Sequence, residues 1–161
     1  MRPPPGSTAG EAARAALAGV LGGILAAHAM DWFQRQAGKL MPSSGGGDDP
    51  ATVRAAERAL GHPLPKARKP AAGTAVHFGF GAALGAVYGL AAELEPRVAA
   101  GFGLPFGGAV AVLADEALVP AAGLSSAPWR TPPASHAYSL ASHLVFGAAL
   151  EAARRVLRRV L

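Results

Sequence analysis

Seven ionisable side chains sit inside or at the ends of long apolar runs: His28, Asp31, His77, Asp115, Glu116, His136 and His143. Their types suit a short list of chemistries. Histidine titrates near neutral pH, and a carboxylate beside it tunes that proton. Imidazole and carboxylate together also ligate zinc, iron or manganese. Put to neither use, the same groups hydrogen-bond across helices and fix their packing, each bond contributing about 0.6–2 kcal/mol in a membrane. A pocket for a substrate or lipid is the remaining use. No cofactor is predicted; a divalent metal is the option these ligand types leave open. Catalytic residues are not identified. The chain holds no H-E-x-x-H pair, Ser-His-Asp order, phosphate-binding loop or nucleophile elbow.

The elements that must position these groups are long and apolar. Residues 71–92 read AAGTAVHFGFGAALGAVYGLAA, with one histidine and no formal charge. Residues 15–30, 98–119 and 133–150 are similar. About 20 apolar residues match the hydrocarbon thickness of a bilayer, and a helix satisfies its own backbone there. The expected fold is therefore all-α: an integral membrane bundle of four hydrophobic helices, about 12–36, 71–92, 98–119 and 135–157. A polar loop, about 37–70, carries a short extra amphipathic helix. Residues 1–10, rich in Pro and Gly, are expected to be disordered, leaving 11–161 as a single helical membrane domain. Arg2, the first apolar run and Ala27-His28-Ala29 imitate a cleaved signal peptide, but Glu11 interrupts its basic start.

Composition agrees. Hydrophobic residues make up 51% and charged residues 16%, against about 25% charged in an average soluble protein. Mean hydropathy is only +0.27, because the runs use Ala and Gly where other membrane proteins use Leu and Ile. A water-soluble Ala-rich helical domain is the competing reading. With no cysteine, disulfides, zinc fingers and thiol catalysis are excluded. Net charge is +5 and the pI about 10.4. The basic residues flank the apolar runs, where lipid headgroups account for them. The expected partner is the lipid bilayer, with no nucleic acid. Four spans put seven Lys and Arg on one side and eight on the other, so charge does not orient the chain. A re-entrant third segment would bring the long loop and the basic tail to one side.

Local signals refine the picture. Asp49 is expected to cap the short helix, with Pro50 at its first position and Gly61 just past its end. Val53, Ala56 and Leu60 share one side of it. The SSGGGDD stretch before it reads as a flexible link. Pro105 is expected to kink the third segment and Pro120 to end it. Trp129 suits the bilayer interface. Gly19 with Gly23, Gly81 with Gly85, and Gly103 with Gly107 form G-x-x-x-G pairs. In lipid, close backbone contact through small residues drives helix association. Packing within one chain is the first reading, and a homo-oligomer the second.

Alternating helix direction then places all seven ionisable groups in the same half of the membrane, nearest the long loop. His77, Gly81, Gly85 and Tyr88 share a stripe, as do His136, His143, Gly147 and Glu151. Asp115 shares a side with Gly108 and Ala111, so Asp115 is expected to point inward and Glu116 less so. The sum is a His/carboxylate cluster one to two turns below one surface. Glu151 and Glu93 are the groups that would extend it toward the other.

The second half carries a family likeness in order along about 70–157. It runs through His77, Gly81, Gly85, Tyr88, Pro96, Gly101, Gly103 and Gly107. It continues through Asp115-Glu116, Pro120, Gly123-Leu124-Ser125, Pro128, Pro133 and His136, and closes on Ser142-His143, Gly147 and Glu151. These residues resemble the YagU-like family of small bacterial inner-membrane proteins of unknown function. The first helix, with His28 and Asp31-Trp32-Phe33, fits that pattern less well. The resemblance implies a multi-pass protein of a bacterial inner membrane and no particular reaction. The expected function is a small membrane protein with an intramembrane His/carboxylate cluster, pH linkage being one use of it and no catalytic step assigned. The alternatives are a membrane-embedded metal-dependent enzyme and a proton or small-solute transporter.

Overall fold

The computed structural model describes residues 9–40 and 49–161. Among these residues there are helices and turns and no strand. Helix α1 spans Ala9–Ala37, α2 Ala51–Leu60, α3 Lys69–Leu94, α4 Leu104–Val110, α5 Val119–Ala121 and α6 Pro133–Val160. A π-helical segment, Ala111–Leu118, joins α4 to α5. Ala9 and Gly10, expected to be disordered, form the start of α1. The rest of that expectation, and residues 43–48 of the expected flexible link, lie outside the described residues.

Three stretches are long and apolar enough to cross a membrane: Ala9–Ala37, Lys69–Leu94 and Pro96–Ala121. The chain therefore has the build of a membrane protein. Helix α6 is as long, but its serines, histidines, Glu151 and four arginines keep it out of that set. Where the sequence suggested four hydrophobic helices, three are apolar and the fourth is amphipathic. Burial follows a membrane pattern. Ala15, Ala18, Ala26 and Ala27 are fully buried, whereas Leu17, Leu25, Phe80, Val87, Val112 and Leu113 lie on the outside. Small residues face the neighbouring helix and large apolar ones face away, which suits lipid and not water. The protein is expected to stay with the membrane fraction through a carbonate wash. Release as a folded monomer without detergent would refute this.

Glycine sets the packing. Helices α1 and α3 are antiparallel: a Cβ on Gly19 would overlap the Gly85 carbonyl, one on Gly23 the Gly81 carbonyl, and one on Gly89 the Ala15 carbonyl. A second antiparallel seam joins the third segment to α6, where Gly103 meets the Gly147 carbonyl and Gly107 the His143 carbonyl. Helix α6 also runs antiparallel to α1, at a looser distance: a Cβ built on Gly22 would lie 3.3 Å from the Leu150 methyl and 3.5 Å from the Leu150 carbonyl, and the Tyr138 hydroxyl donates to the Gln34 carbonyl at 3.0 Å.

The third segment departs from the kink expected at Pro105. The break comes earlier, where Gly101, Phe102 and Gly103 take φ of 65°, 56° and 77°. Left-handed backbone favours glycine, and Phe102 is the one non-glycine described residue with positive φ. The Arg155 guanidinium lies 4.8 Å from its ring centroid. Pro105 then falls in the first turn of α4, where a missing N–H costs nothing. Pro120 lies within α5, and the chain turns away at Gly123, φ 67°.

Helix α2 begins one residue later than expected, with Pro50 at the N-cap and not at the first helical position, and Gly61 takes the left-handed C-terminal position with φ 74°. Asp49 does not cap it: that carboxylate takes the Lys69 ammonium, which also lies 3.4 Å from Glu57. Val53 and Ala56 are buried as a pair, but Leu60 is exposed. Its apolar contact with α3 centres on Val53, close against Gly73, and Leu60 lies two turns beyond it.

Candidate functional site

The π-helical segment and α6 build the densest polar contacts in the half nearest the long loop. His136, Ser139 and His143 recur at i, i+3 and i+7, so they share one face of α6. Asp115 accepts a hydrogen bond from the Ser139 hydroxyl, and its Oδ2 lies 3.7 Å from His143 Nδ1. His143 Nδ1–H donates to the Ser139 carbonyl at 2.9 Å. A carbonyl only accepts, so Nδ1 carries the proton in that contact.

His136 is held from both sides. Its Nε2 is 3.2 Å from the Pro128 carbonyl and its Nδ1 is 2.6 Å from Glu116 Oε1. A carbonyl and an ionised carboxylate are both acceptors, while a neutral imidazole offers one N–H. To make both contacts hydrogen bonds at once, the pair needs one proton more than a neutral ring beside a carboxylate offers. Asp115 was expected to point inward and Glu116 less so; both carboxylates reach α6. Winding is the reason. A π-helix turns less per residue than an α-helix, so consecutive side chains diverge less.

The other expected members lie apart. His77 Nε2–H donates to the Ala27 carbonyl at 3.3 Å. His28 is exposed, its ring centroid 4.4 Å from that of Phe78. Asp31 pairs with Arg35 at 2.5 Å, one turn along α1. In place of one cluster the structure has two carboxylate–histidine contacts on α6, His77 and Asp31 each bonded elsewhere, and His28 exposed against Phe78. Backbone carbonyls and Arg35 supply the partners that spacing alone could not reveal. Among the described residues no three His or carboxylate side chains converge as metal ligands.

Between α3 and the α4–α5 run lies a cavity of about 680 Å³. Helices α1 and α6 back it, and Pro50–Val53 and Ala55 of α2 line its loop-side end. Its walls are mostly apolar, with Phe78, Phe80, Leu84, Val110 and Phe146 among them. Asp31, His77, Asp115 and His143 supply its ionisable groups. A smaller, more polar hollow of about 270 Å³ adjoins it, lined by Asp115, Glu116, His136, Ser139 and neighbouring serines.

The opposite half holds a site the sequence reading underweighted. Glu151 is fully buried. It accepts from the Tyr88 hydroxyl at 2.9 Å, from Arg154 Nε at 2.7 Å and Nη2 at 3.0 Å, and from Arg155 Nε at 2.6 Å. Arg158 reaches Glu93 at 2.9 Å. The signal was available: Glu151 precedes arginines at i+3 and i+4, the spacing of helical ion pairs. It also shares the inward stripe of His143 and Gly147, as Tyr88 shares that of Gly81 and Gly85.

A family model described as a protein of unknown function, DUF1440, matches residues 64–152, more than half of the chain. The chain belongs to the DUF1440 family. The match begins just ahead of α3 and ends one residue past Glu151, so the DUF1440 stretch includes Asp115, Glu116, His136 and His143, both partners of the α4–α6 seam, and Tyr88, Glu93 and Glu151 of the opposite layer, but not Arg154, Arg155 or Arg158. It leaves out α1, with His28 and Asp31, and α2. It is consistent with the YagU-like resemblance, which rests on the same part of the sequence. No curated protein and no solved structure matches the chain.

Proposed function

We propose that this DUF1440 protein is a four-span component of a bacterial inner membrane whose loop-side half holds and responds to protons. The fourth span would be α6. It lies antiparallel to α1 and to α4, both parts of stretches apolar enough to cross, and its glycine seam with the third segment needs it at the same depth. The bacterial setting rests on the YagU-like resemblance.

The observation that carries the proton reading is the His136–Glu116 contact of 2.6 Å, with the second ring nitrogen committed to the Pro128 carbonyl. With both contacts made as hydrogen bonds that pair shares a proton, and it ties the first turn of α6 to the π-helical segment. Loss of the proton would leave two acceptors facing each other and loosen that tie. The neighbouring groups are Asp115 on the same segment, Ser139 and His143 on α6, His77 on α3 and Asp31 on α1. Catalysis is no part of this reading.

With ¹⁵N-labelled histidine in detergent at pH 7, His136 is expected to show two protonated ring nitrogens when Glu116 is intact, or one if the shared proton resides on the carboxyl. In the second case the Glu116 carboxyl signal is that of an acid. Glu116→Gln should change the His136 signals and leave those of His62, in the long loop, unchanged. A His136 spectrum indifferent to Glu116→Gln, in protein that elutes as the wild type, would sink the reading. A transporter is the second reading. It is supported by the Glu151 layer, which brings polar groups into the opposite half, though buried Phe146 and Leu150 stand between the layers.

A further inference from the structure

We propose that the cavity between α3 and the α4–α5 run is a binding site for a lipophilic organic cation: an apolar body carrying one ammonium-type charge, seated against Asp115. The inference uses the cavity's shape and charge and does not depend on the shared proton at His136.

Size comes first. About 680 Å³ lies within the range of small-molecule pockets, roughly 300–1,000 Å³. The walls come next. Phe78, Phe80, Leu84 and Phe146 would take an apolar body, and aromatic faces attract cations as well as hydrocarbon. Charge decides the class. The lining includes two carboxylates, Asp31 and Asp115, and no lysine or arginine. Asp31 already pairs with Arg35. Asp115 has a hydroxyl donor in Ser139, and His143 at 3.7 Å, and its side chain is still 38% exposed. It therefore keeps acceptor capacity toward the cavity. An anionic ligand would meet carboxylate with no fixed cation to offset it. A neutral apolar ligand would leave Asp115 facing hydrocarbon, which is costly.

The groups facing the cation from each neighbouring element are few. Helix α1 gives Asp31, α3 gives His77, the π-helical segment gives Asp115 and α6 gives His143; the lining part of α2 gives none.

The experiment uses the full chain in lipid nanodiscs made of phosphatidylglycerol, at fixed pH 7.5. Tetraphenylphosphonium serves as the cationic probe, and tetraphenylborate, nearly the same shape with the opposite charge, as its control. Saturable binding of the cation and not of the anion is expected. Asp115→Asn should weaken cation binding about tenfold or more, the usual cost of losing a contact to a charged group. Phe80→Ala, which changes a side chain already half exposed, should fold normally and weaken binding severalfold. Repeating the titration with ethanolamine lipids separates two sources of the cation. Competition assigns the site to a lipid ammonium headgroup, and no competition to a soluble cation; either result supports the class. Equal binding of the two probes overturns the proposal, as does unchanged affinity in both variants. Because the probes carry fixed charge and the pH is constant, these outcomes are independent of whether His136 and Glu116 share a proton.

Discussion

Replacing Glu151 with leucine is expected to destabilise the protein by about 3–5 kcal/mol, the usual cost of removing one partner from a buried ion pair. Glu151 is fully buried and accepts from Tyr88, Arg154 and Arg155. Without it, the Tyr88 hydroxyl loses its acceptor and Arg154, itself only 14% exposed, loses its counter-charge. Arg155 is 49% exposed and can turn to the surface. Most of the loss therefore belongs to Arg154 and Tyr88. A triple variant, Glu151→Leu with Arg154→Met and Tyr88→Phe, should recover much of the stability, because removing every member of a buried polar set leaves nothing unpaired. Thermal unfolding in detergent reads both. A Glu151→Leu protein that melts with the wild type would show that the layer is wet and not buried.

Substituting Gly85 with leucine should cost at the upper end of the roughly 1–3 kcal/mol typical of overpacking. A Cβ there would overlap the Gly19 carbonyl and stand 2.8 Å from the Gly23 Cα. Both obstacles are backbone, so no rotamer change relieves them and the helices must part. Gly107→Ala should be costly for the same reason at the other seam, against the His143 carbonyl. Gly79→Ala is the matched control: no atom lies within 4 Å of its Cβ, and alanine suits a helix better than glycine by about 0.5–1 kcal/mol. Equal melting temperatures for the Gly79 and Gly85 variants would mean that the α1–α3 seam does not exist in the folded protein.

Much of the fold was legible because membrane constraints are blunt. A run such as 71–92 has few alternatives to a helix, and the bounds of α3 extend it by two residues at each end. The short helix over 51–60 was readable from Pro50 and Gly61, whose backbone preferences are strong and local. What was not legible depended on unusual winding or distant partners. The left-handed turn at Gly101–Gly103 was hidden behind Pro105, a residue that marks a helix start as readily as a kink. The π-helical winding of Ala111–Leu118 leaves no mark in composition, yet it decides that Asp115 and Glu116 both reach α6. His28, Asp31 and His77 looked like cluster members because their depth was right; depth says nothing about whether Arg35 or the Ala27 carbonyl already satisfies them. Glu151 falls on the inward stripe in the sequence, but a stripe does not show that Tyr88 on another helix completes its set of donors.

The two glycine seams have a mechanical consequence. Where backbone touches backbone there is no side chain to yield, so α1 with α3, and α4 with α6, each behave as a stiff plate. The joint between the plates, α1 against α6, is looser: a Cβ on Gly22 would stand 3.3 Å from the Leu150 methyl and 3.5 Å from the Leu150 carbonyl, where the seams leave about 2.1–2.4 Å, so it tolerates small sliding better. Any breathing of the bundle is therefore channelled into a shear of one plate past the other. The clearance that such a shear would widen or narrow first lies between α3 and the α4–α5 run, the two outer edges, which is where the cavity is.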